Sequence, residues 1–286
     1  MKKTVINHLR ENSSLHIFAK RYRRLIKVLS EDAWNLEFDY VANVLSTDNQ
    51  MSNLLIQSAR RYSGRNEINT VKSALLIIGI SSAQNLLIYF LAKNLYARGT
   101  KETGSARKFD IDKYWKHCLG TSVAVEFLAE RYNFKDKYKL FTVGLIHDIG
   151  VLILDNFMPE KIDEVYLQLR SGVDFLNAEK IVLDGLTHAD VGDLFCELLE
   201  INQEITNFIK YHESPMDVKT NTQEIKLFHI ADKVSSQYYC KLIGGRLNDQ
   251  FYKYLESLEL VEKKDILDVS LKLPDLVEKT RVFYKL

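Results

Sequence analysis

Two adjacent residues, His147 and Asp148, end the apolar run FTVGLIHDIG at 141–150. An imidazole beside a carboxylate is a pair that binds metal ions or moves protons. On a helix, Leu140, Val143, Gly144 and His147 share one face, and Asp148 continues the face of Phe141, Gly144 and Leu145. Such a face looks into a core, where an uncompensated carboxylate is costly, so the run requires a metal ion or a closed hydrogen-bond network. Four further polar residues take inward positions on separate helical segments. His117 lies on a stripe with Thr121, Ala124 and Leu128, His212 shares a face with Ile205, Phe208 and Ile209, and Asp232 follows Ile225 and Phe228. His188 stands at a helix start, where the positive end of the dipole favours the neutral imidazole.

A lone inward histidine is ordinarily a satisfied core residue, but six polar groups on five helices demand one explanation. Mixed imidazole and carboxylate ligands suit one or two ions of Fe, Mn or Zn, which the carboxylates can bridge, and such a site activates water for attack on phosphorus. Asp148 would carry that hydrolysis. The alternative is a histidine–carboxylate network kept for packing, with no ion. His8, His16 and His229 lack this context and read as surface or structural residues.

The elements that must position these groups are helical. Three prolines and twelve glycines punctuate the chain, the 3.6-residue period dominates, and sustained alternation is scarce, so the fold class is all-α. Helices are expected over 15–29, 38–45, 50–62, 68–78 and 80–96. Asp110 caps the helix that carries His117, Gly150 permits a bend after the central run, and Pro159 opens a helix reaching about residue 169. Thr187 to Asp190 reads as a capping box, Asn202 caps the next helix, and Ser214-Pro215 stops it. Shorter helices follow at 250–258 and 274–283, after a break at Gly244-Gly245. The stretch RGTKETGSARKFD, from Arg98, has no periodicity and marks a boundary. It divides an N-terminal lobe, 1–97, by a loop, 98–109, from a second lobe, 110–240, with an extension at 241–286. The apolar pieces 74–80 and 86–92 are expected to form the contact between the lobes.

At 286 residues, with 46% apolar and 27% charged side chains, the composition is that of an ordinary globular protein. A net charge of +1 gives no field that argues for a nucleic-acid partner. Cys118, Cys196 and Cys240 lack metal or disulfide spacing and suit a reducing, cytoplasmic setting. The N-terminus has no signal-peptide core, and the most apolar segment, 74–92, is interrupted by Ser81, Ser82, Gln84 and Asn85, so no membrane insertion is expected.

At these residues the chain resembles a known family. The order His117, His147-Asp148, Asp232 is similar to the HD superfamily of metal-dependent phosphohydrolases. The finer pattern resembles its HDOD branch, the HD-related output domain of bacterial signalling proteins. That branch has W-x-H, L-x-H-D-I-G, H-x-x-V-G and H-x-x-P in this order. Here they read Trp115-Lys116-His117, Leu145-Ile146-His147-Asp148-Ile149-Gly150, His188-Ala189-Asp190-Val191-Gly192 and His212-Glu213-Ser214-Pro215. Upstream, DYVANVLSTDNQMSNLLIQSA and INTVKSALLIIGISSAQNLL are similar to the family's N-terminal helical half, so the likeness spans about residues 20 to 240.

HD-GYP enzymes, which cleave cyclic di-GMP, carry a Lys after HD-x-G, paired histidines and a GYP tripeptide. Here Val151, Tyr211 and YHESPMDVKT stand in those places. The resemblance therefore implies a regulatory role through a protein partner of a signalling pathway or a small ligand such as a nucleotide, without hydrolysis. A metal-dependent phosphohydrolase is the alternative. Arg21, Arg23 and Arg24, on a basic amphipathic helix, are the most concentrated exposed charge for a partner to read.

Overall fold

Side-chain oxygens at the expected breaks open the helices. Asp110 accepts from the backbone N–H groups of Asp112 and Lys113, both at 3.1 Å, and Asn202 accepts from Ile205 at the same distance. Thr187 and Asp190 close a reciprocal capping box.

The computed structural model describes residues 2–99, 108–220, 222–239 and 249–284, and every regular element among them is helical. The N-terminal part comprises α1 (Lys2–Arg10), α2 (Ser13–Arg21), α3 (Arg23–Ile26), a short 3-10 turn (Ala33–Asn35), α4 (Phe38–Leu45), α5 (Asn49–Ser63) and α6 (Val71–Gly99). Then come α7 (Ile111–Arg131), α8 (Lys137–Gly144), α9 (Ile149–Phe157), α10 (Pro159–Arg170) and α11 (Phe175–Val182). The chain continues with α12 (His188–Leu198), α13 (Gln203–Tyr211), α14 (Thr222–Tyr238), α15 (Asp249–Glu256) and α16 (Lys263–Tyr284).

Several elements depart from the sequence expectation. The helix expected over 15–29 turns at Tyr22, whose ring is held between Phe18 and Phe90 at 4.8 and 5.9 Å, so packing wins over helical continuity. The break at Gly79, with φ 76° and ψ 165°, falls between the expected helices 68–78 and 80–96, but the polar quartet beyond it does not interrupt the second piece. The helix expected from 274 begins eleven residues earlier and runs through Pro274. Helices α1 and α11 were not anticipated. Residues 98 and 99, at the start of the expected connection, are still helical as the end of α6, and 100–107, Cys240 and Gly244-Gly245 lie outside the described residues.

The polar residues of α6 tie the chain's parts together. Gln84 Nε2 donates to the carbonyls of Val28 and Glu31 at 2.7 and 2.8 Å, and Asn85 Nδ2 donates to Thr142 Oγ1 at 2.9 Å. Asn202 adds a bond from its backbone N–H to the Leu29 carbonyl at 2.7 Å. Around these anchors α6 packs on α5, α8 and α9, while α7 packs on α8, α14 and α16 and α9 packs on α12. Two stretches, Val71–Tyr96 and Lys137–Phe157, are long and apolar enough to cross a membrane, but 72% and 89% of their apolar 18-residue windows is buried inside the protein, as core helices are.

Candidate metal centre

The HD pair does not end a continuous helix as its periodicity suggests. α8 stops at Gly144, the amides of Leu145, Ile146 and His147 bond back to Thr142 and Val143, and α9 starts at Ile149. Asp148 stands at the N-cap position of α9 without capping it, and its carboxylate is directed to histidines instead.

Gly150 is helical, not a bend, and its role is proximity. A Cβ there would fall inside the carbonyl of His188 and 2.8 Å from the Gly192 nitrogen. The missing side chain lets the start of α12 lie against α9 and brings His188 to Asp148. Gly144 does the same toward α7, where a Cβ would stand 2.6 Å from the Ser122 nitrogen.

All six expected residues meet in one place, and none is more than 1% exposed. Asp148 joins two groups. Its Oδ2 lies 3.1 Å from His117 Nε2 and 3.4 Å from His147 Nε2, and Asp232 Oδ1 lies 3.0 and 3.3 Å from the same two nitrogens. Its Oδ1 lies 3.2 Å from His188 Nε2 and 3.5 Å from His212 Nε2. The facing nitrogens are 3.2 Å apart in the first group and 3.0 Å in the second.

The outer nitrogens settle the tautomers. His147 Nδ1 is 2.9 Å from the Gly144 carbonyl and His212 Nδ1 is 2.8 Å from the Ile209 carbonyl, and a carbonyl only accepts. His188 Nδ1 donates to Glu179 Oε2 at 2.7 Å. In the neutral form, rings held this way would turn Nε2 lone pairs toward carboxylate oxygens and toward one another, an arrangement that repels until a cation sits between them. Atoms bonded at about 2.1 Å to one first-row ion lie roughly 3.0 to 3.4 Å apart, close to the separations seen. The donor set therefore fits a metal ion: His117, His147 and Asp148 form one group, and Asp148, His188 and His212 the other.

Burial lowers the pKa of His147 and favours its neutral form. Burial acts the same way on His117, but hydrogen bonds to Asp148 and Asp232 outweigh it and raise its pKa. Asp232, despite burial, is held well below the usual carboxylate range by the Lys233 ammonium and by His117 and His147.

Three residues at the site carried no assigned role in the sequence reading. Glu179 orients His188; it falls on the apolar face of α11 beside Ala178, the same signal that marks Asp232. Glu213 Oε1 lies 3.9 Å from His188 Nε2 and 4.0 Å from His212 Nε2. Lys233 pairs with Glu213 and, at 3.3 Å, with Asp232. Against the burial that would raise it, Lys233 holds the Glu213 carboxyl at about 2. Both adjoin recognised residues, His212 and Asp232, but neither lies on an expected face. His229 is structural: its Nδ1 donates to the His212 carbonyl, and its Nε2 lies 2.8 Å from the Tyr254 hydroxyl. His8 and His16 are exposed.

Comparison with known proteins finds the same fold. The chain is similar in structure to an HDOD domain protein of unknown function from Geobacter sulfurreducens, with TM-score 0.68 and 18% identity over 96% of this chain and 93% of that one. It is also similar to a candidate signal transduction protein from Marinobacter aquaeolei VT8, with TM-score 0.63 and 17% identity over 98% of this chain and 67% of that one. A candidate phosphohydrolase from Shewanella amazonensis SB2B gives TM-score 0.59 and 18% identity over 93% and 95% of the two chains. A search of curated protein sequences returns no match. The HDOD domain pattern matches residues 15–215, and with the histidine and aspartate order now seen to converge in space, the chain belongs to the HDOD domain family.

Proposed function

We propose that this protein is a regulatory module of a cytoplasmic signalling pathway, whose buried cluster binds a divalent transition ion and stiffens the fold that a protein partner reads. The observation that carries this reading is closure. The six ligand candidates are at most 1% exposed, and the Glu213–Lys233 ion pair lies over them, with the Lys233 side chain 24% exposed. A site packed so tightly suits an ion better than a phosphate ester. His117, His147, Asp148 and Asp232 would hold one ion, and Asp148, His188 and His212 a second. When bound, such an ion supplies Lewis acidity and neutralises the two carboxylates. The boundaries 1–97, 98–109, 110–240 and 241–286 are proposed as the N-terminal lobe, the connection, the HD-like lobe and the extension.

One observation favours the second reading, a metal-dependent phosphohydrolase acting on a nucleotide or another phosphate ester. The cation missing at Val151 has a counterpart in Lys233, beside Asp232, where an ammonium is suited to a phosphoryl oxygen. Turnover of a panel of nucleotides and cyclic dinucleotides by the metal-loaded protein separates the two. The regulatory reading expects no hydrolysis; metal-dependent turnover that Asp148→Ala abolishes would replace it with the enzyme.

A further inference from the structure

A groove of about 430 Å³ runs between the α2–α3 segment and the end of α12, and none of the six clustered residues lines it. The sequence sets its chemistry. Leu15 and Phe18 on α2 and Leu25 on α3 face the core, which turns the positions between and after them outward. Lys20, Arg23 and Lys27 fall there, three and four residues apart, and all three are exposed and line the groove. The floor is apolar. Ala19, Ile26 and Leu198, each half-buried, lie there with the buried Leu199.

The walls are fixed in the fold. The Val28 carbonyl accepts from Gln84 Nε2 and the Leu29 carbonyl from the Asn202 backbone N–H, both at 2.7 Å. The second bond ties the segment that carries Lys27 to the chain leaving α12, so a partner need not order the groove when it docks.

Charge selects the occupant. Lys20, Arg23 and Lys27 make no ion pair among the described residues; Glu200 is the one carboxylate in the lining, and the neighbouring Glu197 is engaged by Arg10 at 2.8 Å. With Glu200 set against one cation, two positive charges remain over an apolar floor. A phosphate or a nucleic-acid backbone would meet the charge but leave that floor in water. An anionic membrane needs a protruding apolar face; on α2 and α3 Ile17 alone protrudes, at 64% exposed, while Leu15, Phe18 and Leu25 are at most 5% exposed. A polypeptide that carries both carboxylates and large apolar side chains satisfies both surfaces.

We propose that this groove docks an acidic, amphipathic segment of a partner protein, its carboxylates on Lys20, Arg23 and Lys27 and its apolar side chains on Ile26, Leu198 and Leu199. The proposal rests on the reading that a protein partner docks on this chain and gives that partner its chemistry, but it requires no ion in the cluster. Complementary charge orients the encounter, and the recessed apolar floor holds it.

Fluorescence anisotropy of the full, metal-free chain with a labelled peptide of repeating Glu-Glu-Leu-Leu tests this. The peptide should bind at least tenfold more tightly than one with Lys in place of Glu or Ser in place of Leu. Lys20→Glu with Lys27→Glu should weaken binding by about tenfold or more. Arg21→Glu with Arg24→Glu changes the net charge equally, at exposed positions outside the groove, and should bind within about twofold of the wild type. Melting temperatures of both variants should hold, because all four positions are exposed. Absence of peptide binding, equal binding of the Ser peptide, or equal loss in the two variants overturns the proposal. Binding to phosphatidylserine vesicles that the lysine variant loses, without peptide binding, would make this face a membrane surface instead. Hydrolysis by the metal-loaded protein would end the regulatory reading without altering these affinities, so the two failures are distinguishable.

Discussion

A single carboxylate oxygen of Glu179 holds His188 twice, accepting its backbone N–H at 3.2 Å and its Nδ1–H at 2.7 Å. The first contact pins the start of α12, and the second fixes the ring so that Nε2 faces Asp148 and His212. Partners of this kind typically contribute tenfold to a hundredfold to metal affinity. Glu179→Ala should weaken one ion by about that factor and leave the ion of His117 and His147 nearly unchanged. A competition titration with a chelating dye reads both; equal loss at the two sites would mean that Glu179 supports the fold and not the ligand.

Two glycines should respond oppositely to alanine. At Gly150 the added carbon meets backbone of His188 and Gly192, which cannot yield without separating α9 from α12. Gly150→Ala should cost several kcal/mol or prevent folding. At Gly79 nothing lies within 4 Å, so the cost is that of a side chain at φ 76° and ψ 165°, a region essentially confined to glycine, about 1 to 3 kcal/mol. Urea melts of both variants give the comparison, and a Gly150→Ala protein as stable as Gly79→Ala would contradict the close approach.

How far the sequence could be read follows from which forces act locally. Caps such as Asp110, Asn202 and Thr187 were legible because a side chain bonds amides two or three residues away. The inward faces of His117, His212 and Asp232 were legible because periodicity records burial. The turn at Tyr22 was not, because it is set by Phe90 in a distant helix. Nor was the break before Asp148: the run 141–150 is apolar throughout, and periodicity cannot distinguish a helix from a helix, turn and second helix that are all buried. Glu179 was hidden by its place on a helix not anticipated, and the Lys233–Glu213 pair by a contact across twenty residues of sequence.

Stability and partner capture should separate. Asp148→Ala removes the carboxylate between four buried imidazoles and should lower stability by roughly 3 kcal/mol. Arg21, Arg23 and Arg24 are exposed, so reversing their charges should leave the melting temperature nearly unchanged while weakening capture of a partner. A melting curve and a pull-down on both variants test the division. Loss of partners in Asp148→Ala without loss of stability, with the arginine variant unaffected, would make the cluster itself the recognition surface.

The two described cysteines should be silent. Cys118 and Cys196 are fully buried, and burial pushes the Cys196 thiol up to about 12. Iodoacetamide at pH 8 should modify neither until denaturant is added, as peptide mass mapping will show. Rapid native labelling of Cys196 would mean that α12 opens readily.

The central claim is that Asp148 joins two metal-binding groups, and metal content per chain tests it most directly. After loading with Mn, Fe or Zn and removal of free ion, the wild-type protein should hold up to two ions. His147→Ala and His212→Ala should each lose one, and Asp148→Ala should lose both. A wild-type chain that holds no ion, or an Asp148→Ala chain that keeps two, would contradict the account.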